Sequence, residues 1–268
     1  MVIGNIYCLD SNITFDGYLP SDHAILQYMI RVTGVISIGN SNHILEISVI
    51  IRQIPIKRDV RVEAVNITDN HEIPGALRQL NIPNPSPVIV LVGGASGISW
   101  LDKFAMRKAI GIIVRLAEET QAVVVDGGTQ AGIMTEIGKQ RKQNKFSFPL
   151  IGVVFDSLLM KEKPRSILDP NHTHFFLIPG DDWGDESAWI SKIATVIAGD
   201  KRSITILVNG GNISRTDVEY SLLENRPTFV MRGTGRMADE ITLTGKIYAI
   251  DISQKPEEIL EVLKAKLL

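Results

Sequence analysis

Cysteine is almost absent from the sequence, and so is any large excess of charge. Cys8 is the one cysteine among 268 residues, which excludes an intrachain disulfide and a zinc site built on cysteine pairs. The formal net charge of −2 at pH 7 disfavours a DNA or RNA binder, because such proteins carry a basic surface. We therefore expect a protein of a reduced compartment that does not bind nucleic acid.

Long apolar runs are also missing. No stretch reaches the ~18 consecutive apolar residues of a membrane-spanning helix. The amino terminus, MVIGNIYCLD, lacks the basic and apolar regions of a secretory signal peptide. We therefore expect a soluble, cytoplasmic protein with no membrane span.

Two nucleotide-binding motifs do not occur in the chain. One is G-x-G-x-x-G, which dehydrogenases use to bind a dinucleotide, and the other is the P-loop G-x-x-x-x-G-K-[ST]. A hydride-transferring dehydrogenase and a P-loop NTPase are therefore both disfavoured.

Patterns of buried strands alternate with helical patterns from residue 88 onward. Runs such as VIVLVG (88–93) and ITILVN (204–209) are typical of strands that are buried on both faces. Because successive parallel strands need crossover connections, this order predicts an α/β fold, a Rossmann-like, mostly parallel sheet with helices on both faces. Further strands are predicted over 122–126, 150–155, 175–179, 228–233 and 246–251, and helices from Ser99, over 131–143, 186–198 and 256–268, and over 215–225 behind a Ser214–Asp217 capping box.

The first 85 residues are less regular. Residues 43–51 and 59–67 have strand patterns, and residues 21–32 have a helical pattern. The segment NIPNPSP (81–87) is typical of a loop and separates this part of the chain from the rest. We predict a β-rich lead-in over 1–85, which either adds to the main sheet or lies beside it. The Rossmann-like nucleotide-binding domain is predicted over 86–268.

Four predicted strands end in glycine-rich turns. In an open parallel sheet, ligands bind outside the carboxyl ends of the strands, where glycine lets the backbone approach a ligand and the next helix offers N–H groups to a phosphate. Ser96, Thr129 and Asn212 are candidate hydrogen-bond partners for a ribose or a phosphate. The predicted ligand-binding residues are Gly93, Gly94, Ala95 and Ser96; Gly127, Gly128, Thr129 and Gly132; Gly210, Gly211 and Asn212; and Gly233, Thr234, Gly235 and Arg236.

Arg236 follows the fourth glycine turn. Its guanidinium could bind a phosphate or pyrophosphate with two parallel hydrogen bonds. The alternative is a surface arginine that pairs with Asp239 or Glu240.

Catalytic and metal-binding residues have weaker support. Asp126 and Asp217 are the candidates for acid–base chemistry, although the capping box already explains Asp217. His172 and His174 would face the same way on a strand, and a metal alternative would add Asp169, Asp181, Asp182 and Asp185. We expect these groups to bond to loop backbone or to lie near a helix start, and we predict no catalytic residue, no metal and no required cofactor.

Several segments, taken together, resemble the SLOG superfamily, and most closely the cytosolic amino-terminal region of melastatin-type TRP channels. They are PVIVLVGGASG, AVVVDGGTQAGIM, LDPNHTHFFLIPGDDWG, ITILVNGG and RPTFVMRGTGRMADEI. The resemblance implies a Rossmann-like fold that binds nucleotide derivatives, with ADP-ribose the leading candidate, and it supports a ligand role for Arg236. Stand-alone prokaryotic relatives of this kind are proposed sensors.

The LOG phosphoribohydrolases of the same superfamily carry the pattern PGG-x-GT-x-x-E. The corresponding segment here is Asn209–Asp217, in which the proline, the third glycine and the glutamate are missing. This departure favours a binding protein for a small nucleotide over an N-glycosidase, which is the alternative. The sequence leaves open the downstream effector and the oligomeric state, a homo-oligomer included.

Overall fold

The computed structural model describes residues 34–38, 41–45, 50–57, 60–94, 100–161 and 167–268. The predicted helix over 21–32, the predicted cap Ser99, and Ala95 and Ser96 lie outside the described residues. The strands are β1 (Gly34–Ile38), β2 (Ser41–Leu45), β3 (Ile50–Lys57), β4 (Val60–Asn66), β5 (Val88–Gly93), β6 (Val123–Asp126), β7 (Leu150–Phe155), β8 (His174–Ile178), β9 (Ser203–Val208), β10 (Thr228–Arg232) and β11 (Ile247–Asp251).

One helix precedes β5, and the others alternate with the strands from β5 onward. A 3₁₀ turn at Asn70–Glu72 precedes the first of them. They are α1 (Ile73–Gln79), α2 (Trp100–Thr120), α3 (Gly132–Gln143), α4 (Asp156–Lys161), α5 (Glu186–Ala198), α6 (Asn212–Leu223), α7 (Met237–Glu240) and α8 (Pro256–Leu267). Within the described residues, no helix combines the length and the apolar content that crossing a membrane requires.

One sheet organises the described part of the chain. Its nine strands lie in the order β11-β10-β9-β5-β6-β7-β8-β4-β3. Every neighbouring pair is parallel except β3 and β4, which are antiparallel. The predicted mostly parallel, Rossmann-like sheet is therefore confirmed.

The lead-in contributes two strands to this sheet. Residues 60–66 pair with β8 in parallel, and β3 then forms the edge. The strand pattern over 43–51 divides between β2, which pairs only with β1 among the described strands, and the start of β3. Strands β3 and β4 therefore belong to the main sheet.

Two apolar layers cover the two faces of the sheet. Along β5, Val88, Val90 and Val92 face the layer that includes residues of α1 and α5. Ile89 and Leu91 face the layer formed with α2, α3 and α8. A strand buried on both faces must be apolar at every position, which is why the predicted strands have continuous apolar runs rather than alternating ones.

The chain reverses its direction across the sheet between β5 and β9. From β5 it runs outward through β6, β7 and β8, and it then returns to the other side of β5 as β9. The carboxyl ends of two strands whose following helices diverge leave a crevice, and ligands bind there in doubly wound folds. The turns after β5 and β9 therefore flank the crevice.

The start of α6 corrects one prediction. The helix begins at Asn212 with Gly211 as its N-cap, and Ser214 Oγ accepts a hydrogen bond from the Gly211 N–H at 3.2 Å. The predicted Ser214–Asp217 capping box is therefore wrong. Asn209 and Gly210 turn the chain at once, with φ of 60° and 96°, so that the helix starts earlier and Asp217 lies inside it.

Candidate functional site

A cavity of about 530 Å³ opens at the crevice between β5 and β9. This volume lies in the usual range for a small-molecule site. In the described part of the chain the wall is mostly apolar and includes three ionisable side chains, Glu186, Asp217 and Arg236. The remaining lining residues are Leu91, Val92, Gly93, Gly94, Gly127, Thr129, Gln130, Ala131, Met134, Leu158, Ile167, Trp183, Ile190, Gly211, Asn212, Ile213 and Ser214.

The Arg236 guanidinium lies across two glycine turns. A Cβ atom on Gly211 would lie 2.8 Å from Arg236 Nη2, and one on Gly94 would lie 3.5 Å from Nη1 and 2.6 Å from Asn209 Oδ1. Gly94 and Gly211 therefore leave room for the arginine side chain. The two turns thus hold the Arg236 guanidinium at the amino end of α6. Backbone N–H groups at a helix start favour a bound anion, and the guanidinium adds a positive charge at the same place.

The turn after β10 is held by hydrogen bonds within its own segment. The N–H groups of Gly233 and Gly235 donate to Asp239 Oδ1 and Oδ2, at 2.6 and 2.9 Å. Thr234 is buried, accepts a hydrogen bond from the Asn209 N–H at 2.8 Å and donates to the Met231 carbonyl at 2.6 Å. These residues build the turn that presents Arg236, and they do not line the cavity.

Asp126 holds the second glycine turn in place. Its buried Oδ1 accepts the Gly128 N–H at 2.7 Å and lies 2.9 Å from His172 Nε2. His172 Nδ1 lies 3.2 Å from Asp169 Oδ1. With a carboxylate oxygen at each ring nitrogen, the imidazole is best satisfied as a cation that donates twice. Asp126 therefore has a structural role that its sequence position did not reveal.

Burial and charge act in opposite directions on His172. Burial alone lowers the pKa of the imidazole, but the charges and hydrogen bonds of Asp126 and Asp169 outweigh it and raise the pKa to about 9. The cluster joins the turn after β6 to residues 167–172, and it is reinforced by the hydrogen bond from the Asp169 N–H to the Gly128 carbonyl. The cluster therefore holds the turn after β6 and Ile167 together, and both contribute to the cavity wall.

The residues of the metal alternative have other partners. His174 Nδ1 lies 2.9 Å from Thr173 Oγ1, away from the carboxylates around His172. Asp185 Oδ2 accepts the N–H groups of Asp181 and Asp182, at 2.9 and 3.1 Å. The two histidines therefore do not converge on one point.

Two carboxyl groups, those of Glu186 and Asp217, form an acidic wall of the cavity. Ser187 Oγ donates to Asp217 Oδ1 at 2.6 Å, and the Gly184 N–H donates to Glu186 Oε2 at 2.8 Å. Burial raises the pKa of Asp217, the Ser187 hydrogen bond lowers it and the charge of the neighbouring Glu186 raises it, so that the net pKa is about 7. Burial also raises the pKa of Glu186. Near neutral pH this wall therefore holds a proton.

An aromatic ring lies at the mouth of the cavity. Trp183 is 55% exposed and packs edge-on against Phe155, with ring centroids 5.2 Å apart. Together with Leu158 and Ile190 it gives the cavity an apolar side. A flat heterocycle could lie against such a surface.

The structure brings together part of the predicted site. Gly93, Gly94, Gly127, Thr129, Gly211, Asn212 and Arg236 line the cavity. Gly128, Gly132, Gly210, Gly233, Thr234 and Gly235 do not. Gly128 serves packing instead, since a Cβ there would lie 2.6 Å from Gly152 Cα and 2.7 Å from the Phe175 ring.

Sequence reasoning missed Glu186 and Trp183. In the sequence, Glu186 is an ordinary acidic residue in the first turn of a predicted helix. Only its burial in the structure distinguishes it from a surface residue. Trp183 follows two aspartates in a loop that the sequence offers as a metal alternative. Ile167 and Ile190 reach the cavity from elements whose proximity no local pattern reveals.

Fold and site together define a Rossmann-like protein with a cavity of small-molecule size at its switch point. The model of the family described as "SLOG in TRPM, prokaryote" matches residues 86–266. The chain belongs to this family.

A curated relative is the "Transient receptor potential cation channel subfamily M member-like 2" of Nematostella vectensis. The two are 27% identical over 210 residues, which are 62% of this chain and 13% of the relative. This chain thus spans a small part of the channel's length.

Two solved structures share part of the backbone course. The X-ray structure of TM1055 aligns with a TM-score of 0.49 and 16% identity, over 66% of this chain and 98% of the other. The molybdenum cofactor binding protein of Rippkaea orientalis aligns with a TM-score of 0.48 and 13% identity, over 67% and 96%.

Proposed function

We propose that the protein is a sensor that binds a nucleotide-derived ligand, with ADP-ribose the leading candidate. The observation that carries the proposal is the placement of Arg236. Its guanidinium lies over Gly94 and Gly211 beside the amino end of α6, within a cavity of about 530 Å³. A phosphate at this point would meet a fixed cation and helix N–H groups together.

The rest of the cavity suits the remainder of a nucleotide. Trp183 and the apolar side chains can contact a base, and Thr129, Asn212 and Ser214 can hydrogen-bond to sugar hydroxyls. The similarity to a channel of the TRP M subfamily agrees with the resemblance of the sequence motifs, which implies a nucleotide derivative as the ligand.

The test is a thermal unfolding scan with ADP-ribose, NAD and AMP, followed by chromatography of each mixture. A ligand present at 100 times its Kd stabilises the native state by ~2.7 kcal/mol, which raises the unfolding midpoint by a few degrees in a domain of this size. A shift with the ligand recovered intact supports a sensor. No shift with any of the three would contradict the proposal.

Arg236→Ala should weaken ADP-ribose binding about 10- to 100-fold, because it removes a charge-assisted hydrogen-bond donor worth about 1.5–3 kcal/mol. The thermal midpoint of the free protein should change little, since Arg236 is exposed. Isothermal titration calorimetry measures the affinity. Arg215→Ala is the matched control, because Arg215 is an exposed arginine of α6 that does not line the cavity.

An N-glycosidase is the second candidate, and Asp217 favours it. A carboxyl group with a pKa of about 7 is suited to protonate a leaving base near neutral pH. If the protein is such an enzyme, chromatography would show the free base, and Asp217→Asn would abolish its release while ligand binding persists.

A further inference from the structure

Among the described residues, one of the two carboxyl oxygens of Asp217 has a hydrogen-bond partner and the other has none. Ser187 Oγ donates to Asp217 Oδ1 at 2.6 Å. Among the described residues the second carboxyl oxygen has no hydrogen-bond partner, while the residue lines the cavity. A second oxygen placed in this way is available to a bound molecule.

The protonation of this group follows from its neighbours. Among the residues that the structure describes, the ionisable ones that line the cavity are Glu186 from α5, Asp217 from α6 and Arg236 from the turn after β10. Glu186 adds a like charge next to Asp217, and the surrounding wall is apolar. Two neighbouring carboxylates in an apolar wall repel each other and lose their hydration when both are charged. One of them therefore retains a proton.

The charge of Arg236 does not act on that proton. Its guanidinium lies against Gly211 at the amino end of α6, whereas Asp217 comes six residues later in the chain, and Arg236 is not among the groups that shift the pKa of Asp217. Both side chains line the cavity, so one extended ligand can touch both. The cavity therefore has an anion-binding end and a proton-holding end.

We infer that Asp217 binds the ligand as a neutral carboxylic acid, donating a hydrogen bond from its second oxygen to an acceptor atom in the part of the ligand away from the phosphate. The inference rests on the proposed function and deepens it. The ligand then carries an anionic group at one end and, away from it, an uncharged acceptor such as a ring nitrogen or a sugar oxygen. A second anion at that end would be rejected. Binding in this form also takes up a proton above neutral pH, so affinity falls as the pH rises.

ADP-ribose is the probe, because its pyrophosphate does not titrate between about pH 5.5 and 8.5. Calorimetric affinities are measured across this range for the wild type, Asp217→Asn and Glu186→Gln. The wild-type Kd should rise by up to tenfold for each pH unit above neutrality. Asp217→Asn keeps a donor that cannot ionise, so its affinity should stay near the low-pH value throughout. Glu186→Gln should move the wild-type transition to lower pH, because it removes the like charge.

Each outcome bears on the inference. A pH-dependent wild type beside a pH-independent Asp217→Asn supports it. An equal pH dependence in both proteins, or none in the wild type, would overturn it while leaving the proposed function in place. Failure of ADP-ribose to bind at every pH would overturn the proposed function, and this inference with it.

Discussion

At the scale of single residues, the glycines of the cavity make room for the protein's own cation. A Cβ atom on Gly211 would lie 2.8 Å from Arg236 Nη2, whereas one on the cavity-lining Gly127 would have no atom of the described residues within 4 Å. The glycine-rich turns therefore differ in their packing, since Gly94 and Gly211 make room for a guanidinium while Gly127 faces open space. The distinction concerns side-chain packing and is invisible in the turn sequences.

Gly211→Ala should weaken ADP-ribose binding about tenfold by displacing the guanidinium. Gly211 has φ of −143°, so alanine introduces no backbone strain there. The check is a double-mutant cycle by calorimetry with Arg236→Ala. In the Arg236→Ala background the added methyl group should cost little affinity, and an equal cost in both backgrounds would contradict the assignment.

At the scale of elements, a buried arginine joins the helices that carry the acidic wall. Arg226 is 2% exposed and donates to Ser191 and Thr195 of α5, to Ser221 of α6 and to Ser203 of β9. Burial lowers the pKa of its guanidinium to about 10. The arginine thus links α5 and α6, from which Glu186 and Asp217 reach the cavity.

Arg226→Met should lower the free energy of unfolding by about 2–4 kcal/mol, because buried hydroxyl and carbonyl groups lose their donor. Urea denaturation measures the change. Arg202→Met, at an exposed position, is the control and should cost less than about 0.5 kcal/mol. Equal effects of the two substitutions would show that the Arg226 network contributes nothing specific.

At the scale of the whole molecule, two groups couple folding to protons. The pKa of His172 is raised to about 9 and that of Asp217 to about 7. In both cases the folded state binds more protons than the unfolded chain, so that stability falls as the pH rises. The contribution of Asp217 is lost between about pH 4 and 7, and that of His172 between about pH 6.5 and 9.

The free energy of unfolding should therefore decrease by about 6 kcal/mol between pH 5 and 9, with similar shares from the two groups. Urea titrations at intervals across this range measure it. Asp217→Asn should remove the part of the decrease that lies below about pH 7, since asparagine mimics the neutral acid. A profile that is flat or rises with pH would contradict the protonation assigned to these groups.

Local patterns were sufficient for most of the fold. Each buried parallel strand from β5 to β11 was predictable within a few residues, because continuous apolar runs and glycine turns depend on short segments of chain. The start of α6 was mispredicted, since Ser214 satisfies a capping pattern three residues inside the real helix. The placement of Arg236 after a glycine turn was likewise readable from the sequence.

The sequence by itself determined the α/β class, the strand order along the chain and the rim that holds the glycine turns. Only the tertiary structure decided which turns meet. The neighbours of β5 are β6 and β9, and this pairing brings Gly94, Gly211 and Arg236 together. The tertiary structure also decided between the two candidate acids. Asp126, which the sequence left without a structural explanation, is buried against His172, whereas Asp217, which the sequence explained as a capping residue, lines the cavity. The physical reason is that burial and charge pairing depend on contacts between residues far apart in the chain.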